Sequence, residues 1–251
     1  MSLIKTKSEI EKIAKGGKIM RRILSELREM AKPGVSTWEL DQYAENEIIK
    51  AGGRPSFKGY GMKGQEFPNA LCTSVNDVIV HGAPSKKEIL KEGDIIGLDI
   101  GMEYLGLYTD TAITVPVGTI SDKARMLLET TQLALKKGIE QAKPGKRLGD
   151  IGAAVQAVAD KRGLGVIRDL VGHGVGHAVH EDPHVPNYGK AGTGMILKPG
   201  MVLAIEPMFS LGDYRLKSAD DGMGIAMADG SLGAHFEHTV AITSRGPEIL
   251  T

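Results

Sequence analysis

The chain has 251 residues, enough to bury a substantial core in one large domain or two small ones. It carries 31 basic and 31 acidic residues, so its formal net charge is zero, and neither nucleic acid nor an anionic membrane is implied as a partner. One cysteine excludes an internal disulfide, and no apolar run approaches the roughly 20 residues of a membrane span. Since the N-terminus also lacks the apolar core of a signal peptide, we expect a cytoplasmic protein.

The first sixty residues have a helical pattern. Apolar residues recur at helical spacing over 8–31, and Pro33-Gly34 is typical of a helix end. Thr37 is the predicted N-cap of a second helix over 38–51, which Gly52 and Gly53 would close.

The rest of the chain alternates strands and helices. Residues 70–116 consist of short apolar runs separated by Gly, Pro and Asn, which predict strands and hairpins. Helices are predicted over 121–142, with Ser121 as N-cap, and over 149–162, and strands from 167 onward. Helices followed by strands, twice, predict an α+β fold in which helices back a curved, mainly antiparallel sheet.

An internal repeat divides the chain. LKEGDIIGLD at 90–99 and LKPGMVLAIE at 197–206 share one template of Leu-Lys-x-Gly, an apolar strand and an acid at the same step. Lys-Pro-Gly precedes a probable helix at both 32–34 and 143–145. We therefore predict two related halves, about 1–118 and 119–251, that form one catalytic domain; two copies at this long period argue against a solenoid.

The two acids that end the repeat lie in apolar runs. A buried carboxylate is costly unless it is paired, protonated or bound to metal, so Asp99 and Glu206 both call for a cation. Together with Asp110, His173 and Glu237 they suit a pair of divalent ions such as Mn, Fe(II), Co or Zn. The alternative is that these acids are solvated strand ends or partners of Lys and Arg, and Asp110 and Glu237 taken alone fit either interpretation.

All seven histidines follow residue 80, and three of them fall within 173–180. Such a cluster beside glycines favours a ligand or substrate role for the group, although not for each member. The full set is His81, His173, His177, His180, His184, His235 and His238. Cys72, taken alone, is typical of a small buried apolar residue.

Motifs along the whole chain resemble those of the type I methionine aminopeptidases, which have the pita-bread metallopeptidase fold. The motifs are KPGVST at 32–37, C-x-S-x-N at 72–76, HG at 81–82, LDIG and TDT around Asp99 and Asp110, GHGVG at 172–176, HEDP at 180–183, AIEPM at 204–208 and FEHT at 236–239. In this order and spacing they are specific, and the family's two pseudo-symmetric halves agree with the repeat.

The resemblance implies a role for each matching residue. Two metal ions would be held by Asp99, Asp110, His173, Glu206 and Glu237, with Asp110 and Glu237 bridging both. Glu206 would also handle the proton, and His81 and His180 would contact the substrate. The methionine pocket would be lined by Tyr60, Phe67 and Cys72.

The implied reaction is removal of the initiator methionine from nascent polypeptides when the second residue is small, by a monomeric cytoplasmic enzyme. Two alternatives stay open: another pita-bread peptidase of the Xaa-Pro aminopeptidase or prolidase type, and a non-catalytic binding protein of the same fold. The chain departs from the family's usual pattern in a longer segment at 61–67 and at Val179, Met223 and His235, so we expect a less aromatic pocket edge.

Overall fold

A computed structural model describes residues 2–251. Its four helices are α1 (Lys7–Met30), α2 (Thr37–Lys50), α3 (Asp122–Gln141) and α4 (Leu148–Asp160). All four lie within two residues of the predicted ranges. Ser121 is the N-cap of α3, as predicted, because its hydroxyl accepts a hydrogen bond from Ala124 N.

The predicted cap of α2 was wrong by one residue. Ser36 is the N-cap: its hydroxyl accepts from Glu39 N, and the Glu39 carboxylate accepts from Ser36 N at 2.8 Å. Thr37 instead exchanges hydrogen bonds with the backbone of Ser85. The reciprocal pair at Ser36 and Glu39 satisfies two backbone donors at once, which a cap at Thr37 could not do with this spacing.

Strands occupy most of the remaining chain. They are β1 (Arg54–Pro55), β2 (Leu71–Val75), β3 (Val78–Val80), β4 (Ile95–Tyr104), β5 (Leu107–Pro116), β6 (Gly165–Val166), β7 (Gly172–Gly174), β8 (Glu181–Val185), β9 (Val202–Ile205), β10 (Met208–Ser210), β11 (Leu216–Ser218), β12 (Ile225–Met227), β13 (Gly233–His235), β14 (Glu237–Thr243) and β15 (Gly246–Ile249).

Nine of these strands form one antiparallel sheet that contains both halves of the chain. Its order is β1-β4-β5-β14-β9-β7-β8, with β2 paired to β4 and β15 paired to β14. Two three-stranded sheets, β13-β10-β6 and β11-β12-β3, flank it. The predicted α+β class with a mainly antiparallel sheet is confirmed.

The helices cover one face of the sheet. In β4 the side chains of Ile96, Leu98, Ile100 and Met102 pack in one core cluster with residues of α1 and α2. Because successive strand residues point to opposite faces, Asp99 faces the other side of the sheet. A second cluster packs α3 and α4 against strands of the second half.

Equivalent backbone hydrogen bonds recur in the two copies of the repeat. Gly34 N donates to Leu90 O at 2.8 Å, and its counterpart Gly145 N donates to Leu197 O at 3.0 Å. The glycine of each Leu-Lys-x-Gly motif has a left-handed backbone, with φ of 93° at Gly93 and 92° at Gly200. This explains why glycine stands at that position in both copies.

Within residues 2–251, no helix is both long and apolar enough to cross a bilayer.

Candidate active site

A row of residues crosses four adjacent strands on the sheet face opposite the helices. In register, Cys72 of β2 pairs with Asp99 of β4, Asp99 with Ala112 of β5, and Ala112 with Glu237 of β14. Paired residues share a face of a sheet, so Cys72, Asp99 and Glu237 point to the same side. Ala112 between the two acids carries only a methyl group, which leaves the space above it open.

The other predicted ligands lie beside this row. Asp110 precedes Ala112 by two residues and therefore shares its face. His173 of β7 pairs with Ala204 of β9, and Glu206 follows Ala204 by two residues directly after that strand. The sheet thus brings all five predicted residues together, two from the first half and three from the second.

The five side chains form two overlapping groups whose ligand atoms lie within 4.8 Å of one another. One group is Asp99, Asp110 and Glu237, and the other is His173, Glu206 and Glu237. Glu237 belongs to both groups, and Asp110 Oδ2 lies 4.0 Å from His173 Nε2. His173 Nε2 is also 3.5 Å from Glu206 Oε1.

The cluster has the chemistry of a cation site. Burial raises the pKa of Asp99 to about 7 and that of Glu206 to about 8. Burial and the neighbouring carboxylates raise the pKa values of Asp110 and Glu237 well above their usual range. No lysine or arginine pairs with any of the four among residues 2–251, and a cation would replace the protons that they otherwise retain.

Unsatisfied polar atoms support the same conclusion. Asp99 Oδ1, Asp110 Oδ1 and Glu237 Oε1 are buried without a hydrogen-bond partner. A buried acceptor without a partner is unfavourable by about 1–3 kcal/mol, more when charged. Three such oxygens on one face of a sheet, together with a histidine whose pKa burial lowers to about 3, fit divalent metal ligation.

Threonine side chains hold the two halves together at the site. The Thr239 hydroxyl donates to Asp110 O at 2.7 Å and accepts from Asp110 N at 3.1 Å. The Thr111 hydroxyl donates to Glu237 O at 2.9 Å. Only two residue pairs join β5 to β14, so these hydroxyls supplement a short backbone pairing where the halves meet.

A cavity of about 220 Å³ opens onto the cluster. Besides the five candidate ligands, its lining includes Phe57, Tyr60, Gln65, Phe67, Cys72, Val80, His81, His180, Met223 and His235. The three residues predicted to line a pocket, Tyr60, Phe67 and Cys72, are therefore all present. Val179 does not line the cavity but packs beneath it against Phe57 and Cys72.

The longer segment at 61–67 leaves the flanking aromatic residues close together. Gly59 N donates to Phe67 O and Phe67 N donates to Tyr60 O, both at 2.8 Å. Residues 61–66 are exposed, and Met62 is 72% exposed. The insertion therefore extends the rim of the cavity and does not separate Tyr60 from Phe67.

His81 is held by its backbone. It has a φ of 59°, unusual for a residue with a side chain, and a Cβ at Gly82 would collide with Thr73 O. The Asp221 carboxylate accepts from Ala83 N at 2.8 Å and from Met223 N at 2.9 Å. Asp221 thus connects the turn that carries His81 to the loop that carries Met223.

His180 is held mainly by side chains. Tyr60 Oη lies 2.8 Å from its Nδ1. The next residue, Glu181, pairs with Lys5 at 2.9 Å, and both side chains are buried. Glu181 also accepts from His177 N at 2.7 Å. A segment from the first half therefore fastens the turn that carries His180.

Of the four remaining histidines, three lie outside the cluster and one lies within it. His177 contacts Glu9 at 2.8 Å, His238 contacts Thr251 at 3.0 Å, and His184 lines an adjoining groove. From the sequence, His235 was expected only as a departure at the pocket edge, yet its Nε2 is buried 3.2 Å from Glu206 Oε2. Its position two residues before Glu237 could have indicated that its side chain lies near the cluster.

Comparison with known proteins agrees with this geometry. Residues 11–244 match Metallopeptidase family M24. A methionine aminopeptidase of Clostridium perfringens is 48% identical, over 100% of this chain and 99% of its own length. The chain belongs to the methionine aminopeptidases of metallopeptidase family M24. A crystal structure of methionine aminopeptidase from Thermotoga maritima superposes with a TM-score of 0.95 at 47% identity, covering 99% of this chain and 98% of that chain.

A more distant solved structure shares the fold but not the length. Prolidase from Pyrococcus furiosus is 27% identical with a TM-score of 0.78, and the match covers 99% of this chain but 65% of the prolidase. The pita-bread fold predicted from the sequence is confirmed by both structures.

Proposed function

We propose that the protein is a metal-dependent aminopeptidase that removes methionine from the N-terminus of polypeptides whose second residue is small. The observation that supports this most directly is the cavity, which combines aromatic and sulfur-containing walls with a carboxylate and histidine cluster at its base. Such walls suit an unbranched thioether side chain. The preference for a small second residue is that of the family the sequence resembles.

The proposal includes two divalent ions. Asp99 with Asp110 would hold one ion, His173 with Glu206 would hold the other, and Asp110 and Glu237 would bridge them, in keeping with the two overlapping groups. The donor set accepts Mn, Fe(II), Co or Zn. When bound, such a pair supplies a water of lowered pKa and polarises the scissile carbonyl.

The residues of the chain would orient the substrate and move its protons. Glu206 lines the cavity beside the other candidate ligands, where its carboxylate would accept a proton and deliver it to the departing amine. His180 would donate to the developing oxyanion, and His81 would contact the amide beyond it. The cavity walls, including Tyr60 and Cys72, would exclude water from the methionine side chain.

The departures from the family pattern would adjust the pocket rather than remove it. Met223 supplies a flexible thioether to the wall, where the family commonly carries tryptophan, and Val179 packs below it. We expect a wall that yields more readily to side chains of different shape. Measured preferences among Met, norleucine and Leu at the first position would test this expectation.

The finer parts of the proposal concern the setting of the reaction. We propose that residues 1–251 act as one catalytic domain with halves of about 1–118 and 119–251, as a monomer in the cytoplasm. Its partners would be the N-termini of nascent polypeptides, met transiently at the ribosome, with no role for nucleic acid or membrane. Support comes from the sheet, which contains strands of both halves.

The two alternatives are less well supported. A prolidase-like activity is not favoured, because the full-length relatives are methionine aminopeptidases and prolidase is matched over only 65% of its chain. A non-catalytic role is not favoured either, because the chain retains all five candidate ligands together with His81 and His180.

The test is hydrolysis of Met-Ala-Ser, Met-Leu-Ser and Ala-Pro-Ser by protein stripped with chelator and reloaded separately with Mn, Co, Fe(II) or Zn. Metal-dependent release of methionine from the first peptide alone is the expected result, and it would rank the metals. Cleavage of the proline peptide would instead indicate a prolidase-like enzyme. No cleavage with any metal would indicate a binding protein.

A further inference from the structure

His180 contacts both the candidate metal cluster and Tyr60. Its ring centroid lies 4.4 Å from that of His173 in an edge-on arrangement, and one of its nitrogens belongs to a group with Asp110 and His173. Nδ1 of the same ring lies 2.8 Å from Tyr60 Oη.

We propose that Tyr60 is a positioning residue that donates its hydroxyl proton to His180 Nδ1 and so keeps the other proton of the ring on Nε2. The proposal deepens the proposed function, on which its catalytic consequence rests. Its structural part, the position of the proton on the imidazole, does not depend on the reaction.

The direction of the hydrogen bond follows from the chemistry of the two groups. A neutral imidazole has one N–H donor and one lone-pair acceptor, so the role of Nδ1 fixes that of Nε2. A phenol hydroxyl is acidic for an alcohol and an sp² nitrogen is a good acceptor, which favours donation from Tyr60. His180 is the side-chain partner of the Tyr60 hydroxyl among residues 2–251, so this proton has no competing carboxylate.

The consequence for the reaction is that His180 presents an N–H donor from Nε2. A group that stabilises an oxyanion must present a hydrogen atom, whereas the opposite tautomer would present a lone pair from Nε2 to developing negative charge. Because the side chain of Tyr60 also lines the cavity, the residue that holds the tautomer is in contact with the substrate pocket.

The backbone around Tyr60 holds the hydroxyl in place. Tyr60 N donates to Phe57 O, and Tyr60 O accepts from Phe67 N, both at 2.8 Å. The ring lies 5.1 Å from that of His180, tilted by 52°. The residue is fixed at both its backbone and its hydroxyl although its side chain is 46% exposed.

The decisive experiment is ¹⁵N NMR of the histidine rings in the zinc-loaded protein, since zinc is diamagnetic. The His180 signals are assigned by their loss in His180→Gln. We expect Nδ1 to resonate as an unprotonated nitrogen that accepts a hydrogen bond and Nε2 as a protonated nitrogen. In Tyr60→Phe, Nδ1 should move toward the value of a free acceptor while the other histidines keep their shifts.

Kinetics provide the second readout. Tyr60→Phe removes only the hydroxyl, so the KM for Met-Ala-Ser should stay within about twofold while kcat falls by about 5- to 10-fold, the worth of one neutral hydrogen bond. The matched control is Tyr43→Phe, which deletes a hydroxyl that bonds to Glu26 far from the cavity. The control should change neither kcat nor the His180 signals.

Two outcomes would overturn the proposal. A protonated Nδ1 in the wild-type protein would show that His180 is the opposite tautomer. Unchanged His180 signals in Tyr60→Phe would show that Tyr60 does not determine the tautomer. Both can be read without any peptidase activity. A protein that shows the expected NMR signals but cleaves no peptide would therefore contradict the proposed function and leave the tautomer assignment intact.

Discussion

Asp99 and Asp110 of the first half and Glu206 of the second are held on backbones of different regularity, whereas Glu237 begins β14 and pairs with Ala112. In the first half, Asp99 and Asp110 lie within β4 and β5, which pair without interruption over ten residues each. In the second half, β9 ends at Ile205, so Glu206 lies outside the strand and is followed by Pro207. The Asp110 side chain is 4% exposed, against 12% for Glu206.

This difference suggests that the two sets of carboxylates have different roles. The long hairpin of the first half fixes carboxylates that need only hold charge in place. In the second half Glu206 itself lies outside a strand, its carbonyl accepts a hydrogen bond from the Asn187 side chain, and its own side chain is more exposed than that of Asp110. That arrangement suits a group that must exchange protons with a substrate.

The strongest test of this comparison is to remove a carboxylate at the junction of the halves. Asp110→Ala and Glu237→Ala should each lose bound metal and activity together, because each side chain would contact both ions. The loss in metal affinity should exceed the roughly 10- to 100-fold cost of losing an outer-shell partner. Metal content by elemental analysis is the measurement.

Glu103→Ala is the matched control, because Glu103 lies on β4, the strand next to that of Asp110, but pairs with Arg54 at the surface. It should keep both metal and activity. Stoichiometric metal in Asp110→Ala would contradict the assigned bridge.

The next largest effect should come from breaking the link between the N-terminal segment and the second half. Lys5 and Glu181 are 1% and 7% exposed, so Lys5→Ala would leave a buried carboxylate without its cation, at a cost of about 3–5 kcal/mol. Urea unfolding measures it. Lys7→Ala, which removes a solvent-exposed partner of Glu11, should change stability little. Equal losses of stability in both variants would contradict a special contribution from the buried Lys5–Glu181 pair.

A smaller effect is expected at His81, the histidine positioned by the first half. His81→Ala should lower kcat about 10²-fold if its ring supplies one oriented hydrogen bond in the transition state, with metal content near normal. Steady-state kinetics on Met-Ala-Ser with parallel metal analysis would show this. Full activity in the variant would exclude His81 from the site.

The smallest effect concerns the pH dependence of stability after chelation. Asp99 and Glu206, with pKa values of about 7 and 8, keep protons in the folded chain that the unfolded chain releases above about pH 4. The stability of the folded protein therefore falls as the pH rises toward 8. His173 and His180, whose pKa values burial lowers to about 3 and 4, act in the opposite sense below about 6.5. The carboxyl groups alone therefore govern the range from 6.5 to 8.

We expect the Tm of the chelated protein to fall across that range and to fall less in Asp99→Asn. Added metal should abolish the trend, because it replaces the protons. A Tm that rises from pH 6.5 to 8 after chelation would show that the carboxyl groups are not the protonated partners proposed.

Much of the fold could be predicted from the sequence because its signals are local. Helical spacing of apolar residues predicted the four helices within two residues, and the repeated Leu-Lys-x-Gly motif corresponds to a left-handed backbone at both Gly93 and Gly200. The cap of α2 was missed although its signal was present: Ser36 stands three residues before Glu39, the spacing of a reciprocal cap.

The site was predictable in its ligands but not in its supporting contacts. Asp99 and Glu206 could be recognised because each charge lies in an apolar run. The partners of His177 and His180 could not, since Glu9 and Tyr60 are more than a hundred residues away in sequence. Pairing of this kind depends on how segments distant in the sequence meet in the fold, which no local pattern records.

The distribution of the candidate ligands also has a consequence for ancestry. Neither repeat carries a complete set, since the aspartates belong to one and His173, Glu206 and Glu237 to the other. A half-length ancestor could have built such a centre only by pairing with a second copy of itself across the β5 and β14 edge. Duplication and fusion would then have freed each copy to diverge, one toward stable retention of the ions and the other toward chemistry.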